Sequence, residues 1–149
     1  LRFSDITRLQ KDNFHLIDGK WWLIFKSLKT GVTIKLPIYM LFDGKPIEIF
    51  KKYCKRNFKS SLFGLSTTSN SATNKQLKQL AQKVKVYKHI SFHTARHTCA
   101  TILLYNGVQL TTVQKLLGHQ SIRTTEVYSD IMDMTVIRDL QKIKQKKNK

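Results

Sequence analysis

The chain has 149 residues, 41% of them hydrophobic, which suits one domain with a real core. Lys and Arg number 27 against 9 Asp and Glu, so the formal net charge is +18 and the partner to expect is anionic: nucleic acid, an anionic membrane surface or an acidic protein. No apolar run approaches the roughly 20 residues of a membrane span, nothing at the start has the charged-then-apolar order of a signal peptide, and Cys54 and Cys99 make no zinc or disulfide framework.

Leu1 to Ile6 carry no initiator Met and run straight into a helical pattern, so a fragment cut from a longer protein is expected. Phe3, Ile6 and Leu9 have helical spacing over about residues 3–10, with Ser4 and Asp5 as start signals. Asp18-Gly19 is a hairpin turn signal, and Trp21 to Phe25 is a strand by composition. Leu28-Lys29-Thr30-Gly31 reads as a second turn, after which Val32, Ile34 and Leu36 alternate with Thr33 and Lys35 until Pro37 ends the strand. From about Ile47 the pattern is helical, to about residue 58, with Ile47, Phe50 and Cys54 on one face and Lys51, Lys52, Lys55 and Arg56 around it.

Ser60–Asn74 is rich in Ser, Thr and Asn and is expected to be a loop. A second basic helix follows at about 74–85, carrying Leu77, Leu80 and Val84. A third covers about 92–105 and stops at Asn106-Gly107. Thr111 with Gln114 forms a capping-box pattern for a short helix ending at Gly118, and Ser121 can cap the next one, which carries Tyr128. From Ile131 to Lys149 an apolar stripe (Ile131, Met134, Ile137, Leu140, Ile143) gives way to a Lys-rich end. No internal repeat is visible. The fold class is mainly α with a small antiparallel β-sheet near the N-terminus, an α+β domain over 1–149. The two cysteines read as small buried or half-buried residues in a reducing cytoplasm.

Three clusters could carry chemistry. His93 and Arg96 share a helix face at i, i+3, so an imidazole and a guanidinium can meet at one point. A planar Arg fork matches two phosphate oxygens, although the pair alone equally describes a capped helix with a surface Arg. His93 and His97 have the i, i+4 spacing of zinc ligands, but Thr94 stands where a metalloprotease has Glu, and no obvious third ligand follows. His97 is therefore expected to be a buried, hydrogen-bonded structural histidine. In Leu116-Leu117-Gly118-His119 the glycine lets the chain leave a helix at positive φ and holds His119 just outside a packed turn, as a ligand-reaching tip or a cap partner. Tyr128, after Thr124-Thr125-Glu126-Val127, is by default a packing residue. As a nucleophile its phenol, of ordinary pKa about 10, needs nearby Arg and His charge to favour the phenolate.

Taken together, His93-x-x-Arg96-His97-Thr98-x-Ala100-Thr101, Gly107-Val108, Val113 to His119 and Ile122-x-Thr124-Thr125-x-x-Tyr128 resemble, in order and spacing, the signature of the tyrosine recombinase (phage integrase) family. Leu1-Arg2-Phe3-Ser4-Asp5-Ile6 resembles the segment of the family's first catalytic arginine, which falls on Arg2. Lys29-Thr30-Gly31, with the strand ending Leu36-Pro37, resembles the hairpin of its catalytic lysine and selects Lys29 over Lys26. Ala95 stands where many members have Leu. The family's N-terminal helical DNA-clamping domain is not among these residues.

The resemblance implies a metal-free phosphoryl transfer with no cofactor. Tyr128 would attack a scissile phosphate of double-stranded DNA, giving a 3′-phosphotyrosyl bond and a free 5′-hydroxyl. Arg2 and Arg96 would clamp the phosphate, His119 would hydrogen-bond it, His93 would assist proton transfer at the tyrosine hydroxyl, and Lys29 would protonate the leaving oxygen. It further implies a site-specific recombinase or integrase of a mobile genetic element, acting in the bacterial cytoplasm at the nucleoid. Such an enzyme would be a homo-tetramer on DNA and a monomer without it. The tail beyond Asp130 is expected to pack onto a neighbouring protomer on DNA, and to pack on its own domain or be disordered without it. The basic helices at about 47–58 and 74–85 are expected to contact phosphates, or else to be solvated faces. Competing readings are a type IB topoisomerase-like nicking-closing enzyme, which would use the same residues, and a non-catalytic DNA-binding module. A module would need only the basic surface, not all six polar positions. A metal-dependent nuclease is opposed by the scarcity of acidic residues around the histidines.

Overall fold

A computed structural model describes residues 1–55, 61–65, 67–128, 136–137 and 139–141. A single helical turn, α1 (Phe3–Ile6), leads into an antiparallel sheet of β1 (Phe14–Ile17), β2 (Lys20–Lys26) and β3 (Thr33–Leu36), in the order β1-β2-β3. The helices α2 (Lys45–Cys54), α3 (Asn70–Lys83), α4 (Phe92–Tyr105), α5 (Leu110–Leu117) and the short α6 (Arg123–Glu126) follow. The mainly α architecture with a small N-terminal sheet is as expected. The tail expected from Ile131 onward falls mostly outside the described residues.

Asp18 and Gly19 both take positive φ, 49° and 72°, which turns β1 into β2 in two residues. Alternation then sends Leu23 and Phe25 of β2 and Ile34 and Leu36 of β3 to one buried face, paired Leu23 with Leu36 and Phe25 with Ile34. Leu9 and Ile38 complete this first core. α2 covers the sheet through Phe50, whose ring stacks on Phe14 at 4.1 Å between centroids. The second core holds Ala100, Leu104, Val113, Leu117 and Tyr128, contributed by α4, α5 and the turn after α6. Leu116 of α5 also packs on the first core, so α5 joins the two.

Several local expectations change. α1 stops at Ile6, because Gln10 and Asn13 draw the chain into a 3-10 turn of Lys11–Asn13 (Gln10 N–H to Asn13 Oδ1, 2.9 Å). α3 begins at Asn70, four residues earlier than expected, because Ser69 caps it by accepting from the Ala72 N–H at 3.1 Å. Its inner face is Leu77 and Ala81, while Leu80 and Val84 are exposed. α5 begins at Leu110, so Thr111 lies inside it and makes no cap; Gln114 instead donates to the His119 carbonyl at 3.3 Å. Tyr128 lies in the turn two residues beyond α6, whose start is braced by the Ser121 hydroxyl accepting from the Arg123 N–H at 3.3 Å.

Candidate active site

The site is built around the C-terminal end of α5. Gly118 takes φ +63°, and a Cβ there would collide with the Ile34 side chain, 2.7 Å from its Cγ1, so any other residue must both strain the backbone and displace Ile34 of β3. The carbonyls of Leu117 and Gly118 are left unpaired by the helix, and two arginines take them. Arg96 donates to the Leu117 carbonyl at 2.6 Å, and Arg2 to the Gly118 carbonyl at 3.4 Å. A helix C-terminus carries partial negative charge, which favours both cations.

Arg2 occupies the extended position before α1. Its other nitrogen donates to the Ser27 hydroxyl at 3.0 Å, with Asp5 at 3.9 Å. Asp5, 4% exposed, accepts from the Ser27 hydroxyl at 3.3 Å and from the Leu28 N–H at 3.0 Å. It is thus a brace under Arg2 and the β2–β3 turn, beyond the helix-start signal expected of it. A carboxylate three residues after the Arg, in helical reach, was the available clue.

α4 is fixed at its start by a reciprocal cap between Ser91 and Thr94 and by the Phe92 N–H donating to Asn74 Oδ1 at 2.7 Å. Phe92 also meets Phe3 edge-on, with centroids 5.2 Å apart, holding α4 against α1. Arg96 is 4% exposed; burial first, then Arg2, lowers its pKa from the ordinary value. His93 is exposed on the same helix, and its pKa is lowered by burial, then by His97, Arg96, Arg2 and Lys29. His119, the first residue past Gly118, has Nδ1 2.9 Å from the hydroxyl of fully buried Thr125. Burial, then Arg96 and Arg2, push its pKa down to about 4, so its imidazole is neutral at working pH.

Tyr128 is 6% exposed, and its hydroxyl lies 2.8 Å from His97 Nδ1. Burial raises the phenol pKa; Arg96 pulls it the other way, toward phenolate as expected, but burial outweighs that pull in the resting site. His97 is exposed rather than buried, contrary to expectation. Its ring meets His93 edge-on, with centroids 4.4 Å apart. Among the described residues no group of three or more His, Cys, Asp or Glu side chains is arranged to hold a metal ion.

Lys29 is exposed on the β2–β3 turn, and its charge is among those felt at His93. The turn is latched to the α5 terminus: the Thr30 hydroxyl donates to the Gly118 carbonyl at 3.2 Å, and Gln120 Nε2 donates to the Thr30 carbonyl at 2.8 Å. The structure thus gathers Arg2, His93, Arg96, His119 and Tyr128 in one neighbourhood, with Lys29 at its rim. Asp5, Ser27, Thr30, His97, Gln120 and Thr125 support the site and were not singled out for it from sequence.

Residues 1–134 match the model of the phage integrase family. The chain is 44% identical over 136 residues to tyrosine recombinase XerD of Staphylococcus saprophyticus, covering 88% of this chain and 46% of that protein. It is 31% identical over 153 residues to XerD of Listeria innocua (95% and 49%), and 33% identical over 142 residues to tyrosine recombinase XerC of Rickettsia bellii (87% and 42%). The chain therefore spans about half the length, or less, of these relatives. Among solved structures, XerH site-specific recombinase bound to its palindromic difH substrate, in a post-cleavage complex, is similar in fold. The TM-score is 0.64 at 21% identity, over 97% of this chain and 42% of that one. The pre-cleavage XerH complex gives 0.65 at 20%, over 85% and 38%.

Proposed function

The chain belongs to the phage integrase family, and we propose on that footing that it is the catalytic domain of a site-specific DNA recombinase working through a 3′-phosphotyrosyl intermediate. One observation carries the reading: Arg2 and Arg96, far apart in the sequence, are tied to adjacent carbonyls at the end of α5, next to His119. Two guanidiniums converging on one point suit the non-bridging oxygens of a single phosphate and the charge that grows on them in the transition state.

The proposed chemistry follows. Tyr128 Oη attacks phosphorus; the Oη–P bond forms and the bond from phosphorus to the 5′-oxygen breaks. Arg2 and Arg96 hold the non-bridging oxygens. With Thr125 donating to Nδ1, neutral His119 keeps its proton on Nε2 and offers the phosphate a hydrogen bond through it. Lys29 protonates the leaving 5′-oxygen, a choice supported by its charge reaching His93 across the site. His93 stands one ring away from Tyr128, which suits an indirect part in proton transfer. The phosphotyrosyl bond retains the energy of the broken ester, so a partner strand's 5′-hydroxyl re-ligates without ATP. The proposed setting is a homo-tetramer on two duplexes, monomeric without DNA, with the tail beyond Asp130 seated on a neighbour, in a mobile element's integrase acting at the bacterial nucleoid. No helix among the described residues is long and apolar enough to cross a membrane.

The test is a nicked suicide duplex incubated with the 149-residue chain at low salt in EDTA. A covalent protein–DNA adduct that disappears in Tyr128→Phe is expected. The absence of any adduct overturns the reading. Relaxation of a single supercoiled plasmid without strand exchange between two sites points instead to a topoisomerase-like enzyme.

A further inference from the structure

We infer that His97, rather than serving only as packing beside the site, is the group that accepts the Tyr128 hydroxyl proton when the tyrosine attacks; this rests on the recombinase reading above. Its Nδ1 lies 2.8 Å from Tyr128 Oη, within direct transfer distance. His93 is four residues earlier on the same face of α4, and its ring meets that of His97 edge-on. His97 thus meets both rings, that of His93 at 4.4 Å and that of buried Tyr128 at 5.4 Å between centroids, and is itself exposed. Tyr128 is buried and His97 is exposed, so a proton leaving the phenol moves from a dry position to a hydrated one.

A buried phenol whose pKa is raised needs such an acceptor more than an exposed one does. The proton balance is complete. The Tyr128 proton goes to His97 Nδ1 as the Oη–P bond forms, and the 5′-oxygen takes its proton from Lys29. Around His97 the titratable and charged groups are His93 and Arg96 on α4, Tyr128 after α6 and His119 after α5.

Two measurements test this. The first needs no activity: imidazole ¹⁵N spectra of the DNA-free chain should show His97 as the Nε2–H tautomer, with an unprotonated Nδ1 whose resonance moves in Tyr128→Phe. A Nδ1–H tautomer overturns the inference, because His97 would then donate to the phenol oxygen. The second is adduct formation on suicide DNA by His97→Asn, which keeps an acceptor near Nδ1 but takes no proton, and by His97→Ala. Both should lose about 100-fold or more in cleavage rate, with the residual rate climbing steadily with pH as hydroxide replaces the base. Full activity in His97→Asn makes the residue a positioning group and overturns the inference alone. No adduct from the unaltered chain overturns the recombinase reading and this one with it.

Discussion

Gly118 concentrates the site's tolerances in one residue. Its positive φ sends the chain out of α5, its carbonyl takes Arg2 and Thr30, and its missing Cβ makes room for Ile34. Gly118→Ala should cost about 1–3 kcal/mol in urea unfolding, because the backbone is strained and a side-chain contact must give. Adding Ile34→Ala should relieve the contact but not the strain, so only part of that loss returns. His119 gives a pH signature. Its folded pKa, about 4, lies below the ordinary value of 6.5, so the unfolded state binds more protons between the two. The stability it contributes is complete above 6.5 and is lost as pH falls toward 4. Unfolding midpoints should drop less over that window in His119→Gln than in the unaltered chain. Gly118 and His119 were legible in sequence because a glycine ending an apolar helix has few other reasons to be there. His97 and Asp5 were misjudged because their roles depend on the third dimension: which way α4 turns its exposed face, and how deep α1 lies under the β2–β3 turn.

The elements fared best where the signal was local. The Asp18-Gly19 hairpin, the alternating strands and α4 with its Asn106-Gly107 stop are set by turn chemistry and periodicity within a few residues. The start of α3 was not legible, because Ser69 caps a polar first turn that looks like loop until the cap is seen. Of the apolar residues it carries, Leu77 is half-buried and Ala81 buried, whereas Leu80 and Val84 are exposed, a split that the basic, polar sequence around them does not signal. The β2–β3 turn offers a prediction at this scale. Its latch through Thr30, Gly118 and Gln120 should hold Lys29 in place for the leaving oxygen. Thr30→Ala with Gln120→Ala should slow cleavage of an ordinary phosphodiester by about 10-fold or more. A substrate whose leaving 5′-oxygen is replaced by sulfur, a better leaving group needing no acid, should recover most of that rate. Equal slowing on both substrates would mean that the latch acts through general stability.

Across the whole molecule, the +18 formal charge sets the conditions under which the proposed engagement of DNA would be visible. If six to ten phosphates are contacted, affinity should fall by about 10³–10⁵ between 50 and 200 mM salt, read as the slope of log affinity against log salt. A shallow slope would mean that the charge serves something other than DNA. The exposed lysines of α2 and α3, Lys51, Lys52, Lys75 and Lys78 among them, are the natural contributors. The same excess positive charge makes the way the two arginines are held consequential. Arg96 leans on a backbone carbonyl, and among the described residues no carboxylate lies within ion-pair distance of it. A carbonyl fixes a guanidinium's direction without cancelling its charge. An incoming phosphate would therefore have no ion pair to break at Arg96. The chain in effect keeps a small cationic lens at the end of one eight-residue helix.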